Sequence, residues 1–128
     1  MKMRSLAVSA ALALAVLNVG FAPAPAAAAV EGREVEYTAQ GVTLKGYFAS
    51  DGAVAGRRPG VLVVHEWWGH NEYARRRARM LAELGYAALA VDMFGDGRTA
   101  AHPDDAGKFS GELMKSPETT KARFLAGL

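Results

Sequence analysis

The stretch Val61–Val91, VLVVHEWWGHNEYARRRARMLAELGYAALAV, decides the fold of this chain. Val61-Leu62-Val63-Val64 is apolar without polar alternation, as in a strand covered on both faces inside a parallel sheet. We expect it to be the central element. Asn71 is placed to cap a helix, Glu72 lies at the positive end of that helix's dipole, and Gly85 is placed to end it. Between them Tyr73, Ala74, Ala78, Met80, Leu81 and Leu84 fall near one face, with Arg75, Arg76 and Arg79 mostly on the other. Tyr86–Val91 is a second apolar strand, ended by Asp92. Strand, helix and strand within about 30 residues make a βαβ unit with a right-handed crossover. The fold class is α/β.

Working outward, Val35–Ala39, the turn pair Gln40-Gly41 and Val42–Ala49 read as a hairpin. In its second strand Val42, Leu44, Gly46 and Phe48 alternate with Thr43, Lys45 and Tyr47, the period of a half-buried strand. Ser50–Gly60 is a loop. Downstream, Gly95-Asp96-Gly97 marks a tight turn, and His102-Pro103-Asp104 opens a short helix carrying Ala106, Phe109, Leu113 and Met114. Ser116-Pro117-Glu118 starts another, with proline at its first position, and we expect that helix still to be running at Leu128.

The first 29 residues have the pattern of an export signal. Lys2 and Arg4 precede an apolar stretch from Leu6 to Val19, followed by an alanine and proline tract with small-x-small cleavage sites. The alternative is an uncleaved anchor, but the apolar stretch is shorter than the roughly 20 residues that span a bilayer. The expected product is therefore periplasmic or secreted, with a domain over 30–128. The whole chain has 15 basic and 13 acidic residues. Without Lys2 and Arg4 the two signs balance, so charge gives no reason to expect nucleic acid as a partner, nor a membrane beyond the signal itself. The chain has no cysteine, so no disulfide braces it.

The chemistry belongs at the end of the first βαβ strand, because ligands of parallel sheets bind beyond the carboxyl ends of strands. His65, Glu66, Trp67 and Trp68 stand there. A carboxylate at that place can carry a proton or partner a nucleophile, and the N–H groups of the same turn can stabilise an oxyanion. The plainer alternative is that Glu66 pairs with an arginine or caps the helix while the tryptophans fill the core. A zinc site from His65 and His70 is disfavoured, since the second histidine comes one residue too late for H-E-x-x-H and the motif leaves a strand rather than riding a helix. Neither phosphate-binding glycine motif occurs, and we expect no cofactor and no metal. Arg75, Arg76, Arg77 and Arg79, flanked by Glu72 and Glu83, read as a solvated helix face, with Arg79 spaced to pair with Glu83.

His65-Glu66-Trp67-Trp68-Gly69, followed by Asn71, Tyr73, the arginine run, Met80–Tyr86, Val91-Asp92-Met93-Phe94-Gly95-Asp96-Gly97 and His102-Pro103-Asp104-Asp105-Ala106, resembles the dienelactone hydrolase family of α/β-hydrolases. The resemblance implies the N-terminal half of an α/β-hydrolase fold, a hairpin followed by a βαβ unit of a mostly parallel sheet. It implies an ester or lactone hydrolase that works through an acyl-enzyme on a small-molecule substrate. Glu66 matches the glutamate that contacts and activates the nucleophile, and Trp67 the residue whose backbone N–H contributes to the oxyanion hole. His65 and Trp68 would line the pocket. The family's nucleophile is a cysteine or serine on a sharp turn after a later strand, with an aspartate and a histidine beyond. Here there is no cysteine, and Ser110 in Gly107-Lys108-Phe109-Ser110-Gly111 is out of register for G-x-S-x-G. The expectation is a chain that stops before the nucleophile elbow and is inactive alone, its oligomeric state open. The alternative is a non-catalytic α/β domain that binds a partner or an apolar ligand.

Overall fold

The computed structural model describes residues 29–128, so the expected export signal falls, apart from Ala29, outside the described residues. Seven elements follow in order: β1 (Val30–Ala39), β2 (Val42–Asp51), β3 (Gly60–Val64), α1 (Glu72–Glu83), β4 (Ala87–Val91), α2 (Pro103–Met114) and α3 (Pro117–Leu125). The strands form one sheet in the order β1-β2-β4-β3. β3 and β4 run parallel, from Gly60 beside Ala87 to Val64 beside Val91. The hairpin is antiparallel and its second strand joins β4 antiparallel, through Tyr47–Ala49. The sheet of this segment is thus mixed, with its parallel part confined to the βαβ unit.

Among the described residues β3 stands at the edge of the sheet. It has one neighbour, β4, and Val64 is 51% exposed. The crossover carries the chain to the hairpin side of β3, so β4 becomes the enclosed strand, with Ala88, Ala90 and Val91 wholly buried.

Helix α1 starts where expected. The Asn71 side chain accepts from the N–H groups of Tyr73 at 3.1 Å and Ala74 at 3.4 Å, satisfying two donors that the first turn leaves free. Its buried stripe is narrower than the apolar pattern suggests. Ala74, Ala78 and Ala82, four residues apart, pack on Ala49, Ala88 and Ala90, and methyl-sized side chains on both sides let the helix approach the sheet closely. Tyr73, Met80 and Leu84 remain exposed. Met80, Leu81 and Leu84 instead line a recess with Val61, Leu62 and Val63 on this side of β3.

The arginine run also does more than face water. Arg75 and Arg79 each stack over the Tyr47 ring with the guanidinium carbon 5.5 Å from its centroid. Arg79 donates to Tyr47 Oη at 3.1 Å and pairs with Glu72 rather than Glu83, while Arg75 pairs with Glu34 at 2.7 Å. Tyr47 is therefore drawn to the α1 side with Ala49, while along β2 buried Leu44 and Gly46 alternate with exposed Lys45, the pattern expected of a half-buried strand. Helix α3 ends at Leu125 with Ala126 as its C-cap, short of the expected Leu128.

Candidate active site

Two loops meet at the carboxyl ends of β3 and β4. The first turns at Glu66–Gly69, where Gly69 N–H donates to the Glu66 carbonyl at 3.1 Å. Gly69 has φ of +88°, and a Cβ there would stand 2.6 Å from the Arg98 carbonyl oxygen, so glycine is required on two counts. Its close approach forms a bridge to Thr99, and Ala100 N–H donates to the Trp68 carbonyl at 2.9 Å. The β3 loop is zipped onto the chain that leaves β4.

The second loop is organised by Asp92, which has no exposed surface. Its carboxylate accepts from the N–H groups of Gly95 at 2.8 Å, Gly97 at 2.7 Å and Lys45 at 3.1 Å. Its own N–H donates to Tyr37 Oη at 3.1 Å, and burial raises the Tyr37 hydroxyl above its ordinary pKa. Gly95, Asp96 and Gly97 all take positive φ, which turns the Gly95 and Gly97 amides onto the Asp92 carboxylate while the Asp96 N–H donates to the Thr43 carbonyl at 2.8 Å. A buried carboxylate is tolerated when backbone donors satisfy it. Sequence reasoning saw in Asp92 only a strand end. The signal was there, since an aspartate before a glycine-rich turn bonds to the backbone that follows. Arg98 extends the same loop to α2, donating to the Phe94 carbonyl, pairing with Glu112 at 3.1 Å and lying 4.6 Å from the Phe109 ring centroid.

The four residues singled out in the sequence have different surroundings. His65 sits edge-on to Phe94 with centroids 4.6 Å apart, and both of its ring nitrogens are engaged. Nδ1 lies 2.7 Å from the Glu66 carbonyl and Nε2 accepts from Met93 N–H at 3.2 Å. Burial lowers its pKa, favouring the neutral ring. With its lone pair on Met93 N–H, His65 has no free nitrogen to share with His70 as a ligand. His70 is buried, and burial together with Arg75 lowers its pKa too.

The Trp67 indole leans on α2, donating to Ser110 Oγ at 3.0 Å. That hydroxyl in turn donates to the Ala106 carbonyl at 2.8 Å, so Ser110 serves as a tie between helix and loop. Trp68 packs edge-on against Trp67 with ring centroids 5.4 Å apart, and neither ring is core: they are 37% and 45% exposed, respectively. Glu66 is exposed and borders a recess of about 170 Å³ with Val64, Tyr73 and Arg77. Among the described residues its carboxylate makes no ion pair and no hydrogen bond, and nothing accepts from the Trp67 N–H. The plainer roles for Glu66 are filled by others, Asn71 as the cap and Glu34, Glu72 and Glu112 as the arginines' partners. On the other side of Val64 an apolar concavity of about 580 Å³ opens between Met93, Leu113, Met114 and Phe124.

This arrangement is that of an α/β-hydrolase sheet up to its second parallel strand. The chain belongs to the dienelactone hydrolase family, whose model matches residues 44–127. A protein of Aquifex aeolicus (strain VF5), provisionally named carboxymethylenebutenolidase, is 39% identical over 87 residues, which are 66% of this chain and 36% of that protein. The solved structure of m3DLH superposes with a TM-score of 0.70 at 35% identity, covering 77% of this chain and 43% of the other. A dienelactone hydrolase-like promiscuous phosphotriesterase from metagenomic libraries gives a TM-score of 0.63 at 36% identity, with the same two coverages, 77% and 43%. The family and these neighbours are hydrolases. The chain spans little more than a third of the curated relative it matches, and the part it matches is the N-terminal half of the fold.

Proposed function

We propose that residues 30–128 form the oxyanion-hole wall of an exported hydrolase that opens small-molecule esters or lactones through an acyl-enzyme. The observation that carries this reading is the pairing, among the described residues, of an unpartnered Glu66 carboxylate with an unpartnered Trp67 N–H at the carboxyl end of β3, in a loop tied to the chain after β4 by the Gly69–Thr99 bridge and the Ala100–Trp68 hydrogen bond. A carboxylate left free by its neighbours is available to a nucleophile, and a fixed amide is available to an oxyanion.

In the proposed reaction the nucleophile adds to the substrate carbonyl carbon and the carbonyl π electrons move to oxygen. Trp67 N–H donates to that oxyanion. Collapse expels the alkoxide, which takes a proton, and water then cleaves the acyl-enzyme to give the acid and restore the nucleophile. Glu66 holds and activates the nucleophile before attack, while His65 and Trp68 shape the near wall. Nucleophile, acid and base come from outside these 128 residues, and the strands that bear them dock on the open edge of β3 and its apolar flanks.

Two assays test the reading with p-nitrophenyl acetate and a simple aryl lactone. The 128-residue chain is expected to be inactive. The product of the longest reading frame containing it is expected to be active, with Glu66→Gln lowering kcat about 10²-fold. Hydrolysis by the 128-residue chain that disappears in Glu66→Gln would place the nucleophile within it and overturn the proposal. Export is tested by the mass of the product from an export-competent host, expected to lack the first 29 residues.

A further inference from the structure

His65 has both ring nitrogens engaged, and its two bonds reach different strands. Nε2 takes the N–H of Met93 just after β4, and Nδ1 meets the carbonyl of Glu66 just after β3. A carbonyl only accepts, so Nδ1 must carry the proton; an amide only donates, so Nε2 must not. One neutral tautomer meets both conditions, whereas the imidazolium keeps the bond to the Glu66 carbonyl and loses the other, because its Nε2 proton would face the Met93 N–H.

The Glu66 carbonyl accepts a second hydrogen bond, from Gly69 N–H at 3.1 Å. Both lone pairs of that oxygen are occupied. A planar trans peptide fixes its N–H antiparallel to its carbonyl, so whatever orients the Glu66 oxygen orients the Trp67 N–H. We infer that His65 is a positioning residue, a latch in the Nδ1–H tautomer that joins Met93 to the Glu66–Trp67 peptide and aims the Trp67 N–H. The inference rests on the proposed oxyanion role of that N–H.

The surroundings suit a neutral latch. The ring packs edge-on against buried Phe94, and the ionisable groups facing it are Asp92, whose carboxylate is occupied by three amides, and buried His70. Asp92 contributes indirectly: by holding the turn that begins at Met93, it fixes the amide on which the latch closes.

The test is a long-range proton–nitrogen correlation on the His65 ring of the 15N-labelled full chain at neutral pH. Nδ1 is expected protonated and Nε2 unprotonated; an Nε2–H tautomer or a doubly protonated ring would overturn the latch. His65→Phe keeps a ring against Phe94 and removes both bonds. In that variant the Trp67 amide order parameter is expected to fall from the rigid range near 0.85 towards 0.6, while Ala88 and Ala90 stay unchanged. An unchanged Trp67 amide would also overturn the latch. In the catalytically complete enzyme the same substitution is expected to lower kcat about tenfold to hundredfold with KM within about twofold. A latch present in the spectra with unaltered kcat would overturn the oxyanion role of Trp67, and with it the proposed function, while a missing latch would overturn this inference alone.

Discussion

Two carboxylates stand at neighbouring strand ends of this sheet and have opposite fates. Asp92, after β4, is fully buried and bound by three backbone amides. Glu66, after β3, is exposed and bound by none of the described residues. The difference comes from strand order. β4 has partners on both sides, so its exit is enclosed and every polar group there must be satisfied within the protein. Among the described residues β3 has a partner on one side, and its exit is open there. Position beyond a strand end thus does not by itself fix how a carboxylate is bonded.

The comparison fails if Asp92 can be removed cheaply. Asp92→Ala leaves three amides without an acceptor and is expected to cost about 3–5 kcal/mol in urea denaturation, with Asp92→Asn costing roughly half as much because one oxygen remains. A loss under about 1 kcal/mol for Asp92→Ala would show that water replaces the carboxylate and that the two strand ends are alike. Next comes the seam between the loops. Gly69→Ala sets a methyl against the Arg98 carbonyl at a positive φ and is expected to cost about 2–3 kcal/mol.

A smaller effect should appear with pH. His65 and His70 both have folded pKa values below the ordinary value near 6.5. Above that value both folded and unfolded chains carry neutral rings, and stability is at its plateau. As pH falls below about 6.5 the unfolded chain takes up protons first, so stability declines until the folded rings also protonate. Urea titrations at descending pH are expected to show this slope, reduced in His65→Phe; a flat profile between pH 6.5 and 5 would contradict it. The smallest effect belongs to Glu66. Glu66→Gln is expected to change stability by less than about 0.5 kcal/mol, and a larger loss would mean that this carboxylate, like Asp92, is structural.

Much of the fold was legible in residues 61–91 because the period of apolar residues changes visibly from strand to helix. Asn71 and Gly85 marked the helix ends through backbone needs that few residues meet. The exposed Tyr73, Met80 and Leu84 were less legible: apolar character placed them near one face with Ala74 and Ala78, but the wholly buried contacts between α1 and the sheet are alanines. The arginines were misread for a related reason, since nothing near them in sequence announces that Tyr47 will lie beneath. At the candidate site, Glu66 and Trp67 were singled out by motif and strand-end position, whereas the bonding of His65 was not legible, because its partner Met93 is 28 residues away.

The sequence by itself determined the α/β class, the βαβ unit, the helix caps and the residues gathered at the end of β3, because periodicity, capping and turn chemistry are local. Only the tertiary structure decided that β4 lies between β2 and β3, that Asp92 is a structural acceptor while Glu66 makes no bond to the described residues, and that His65 bridges two strands. Each of those depends on which strand lies beside which, and a hydrogen bond between distant residues has no local cause to be read.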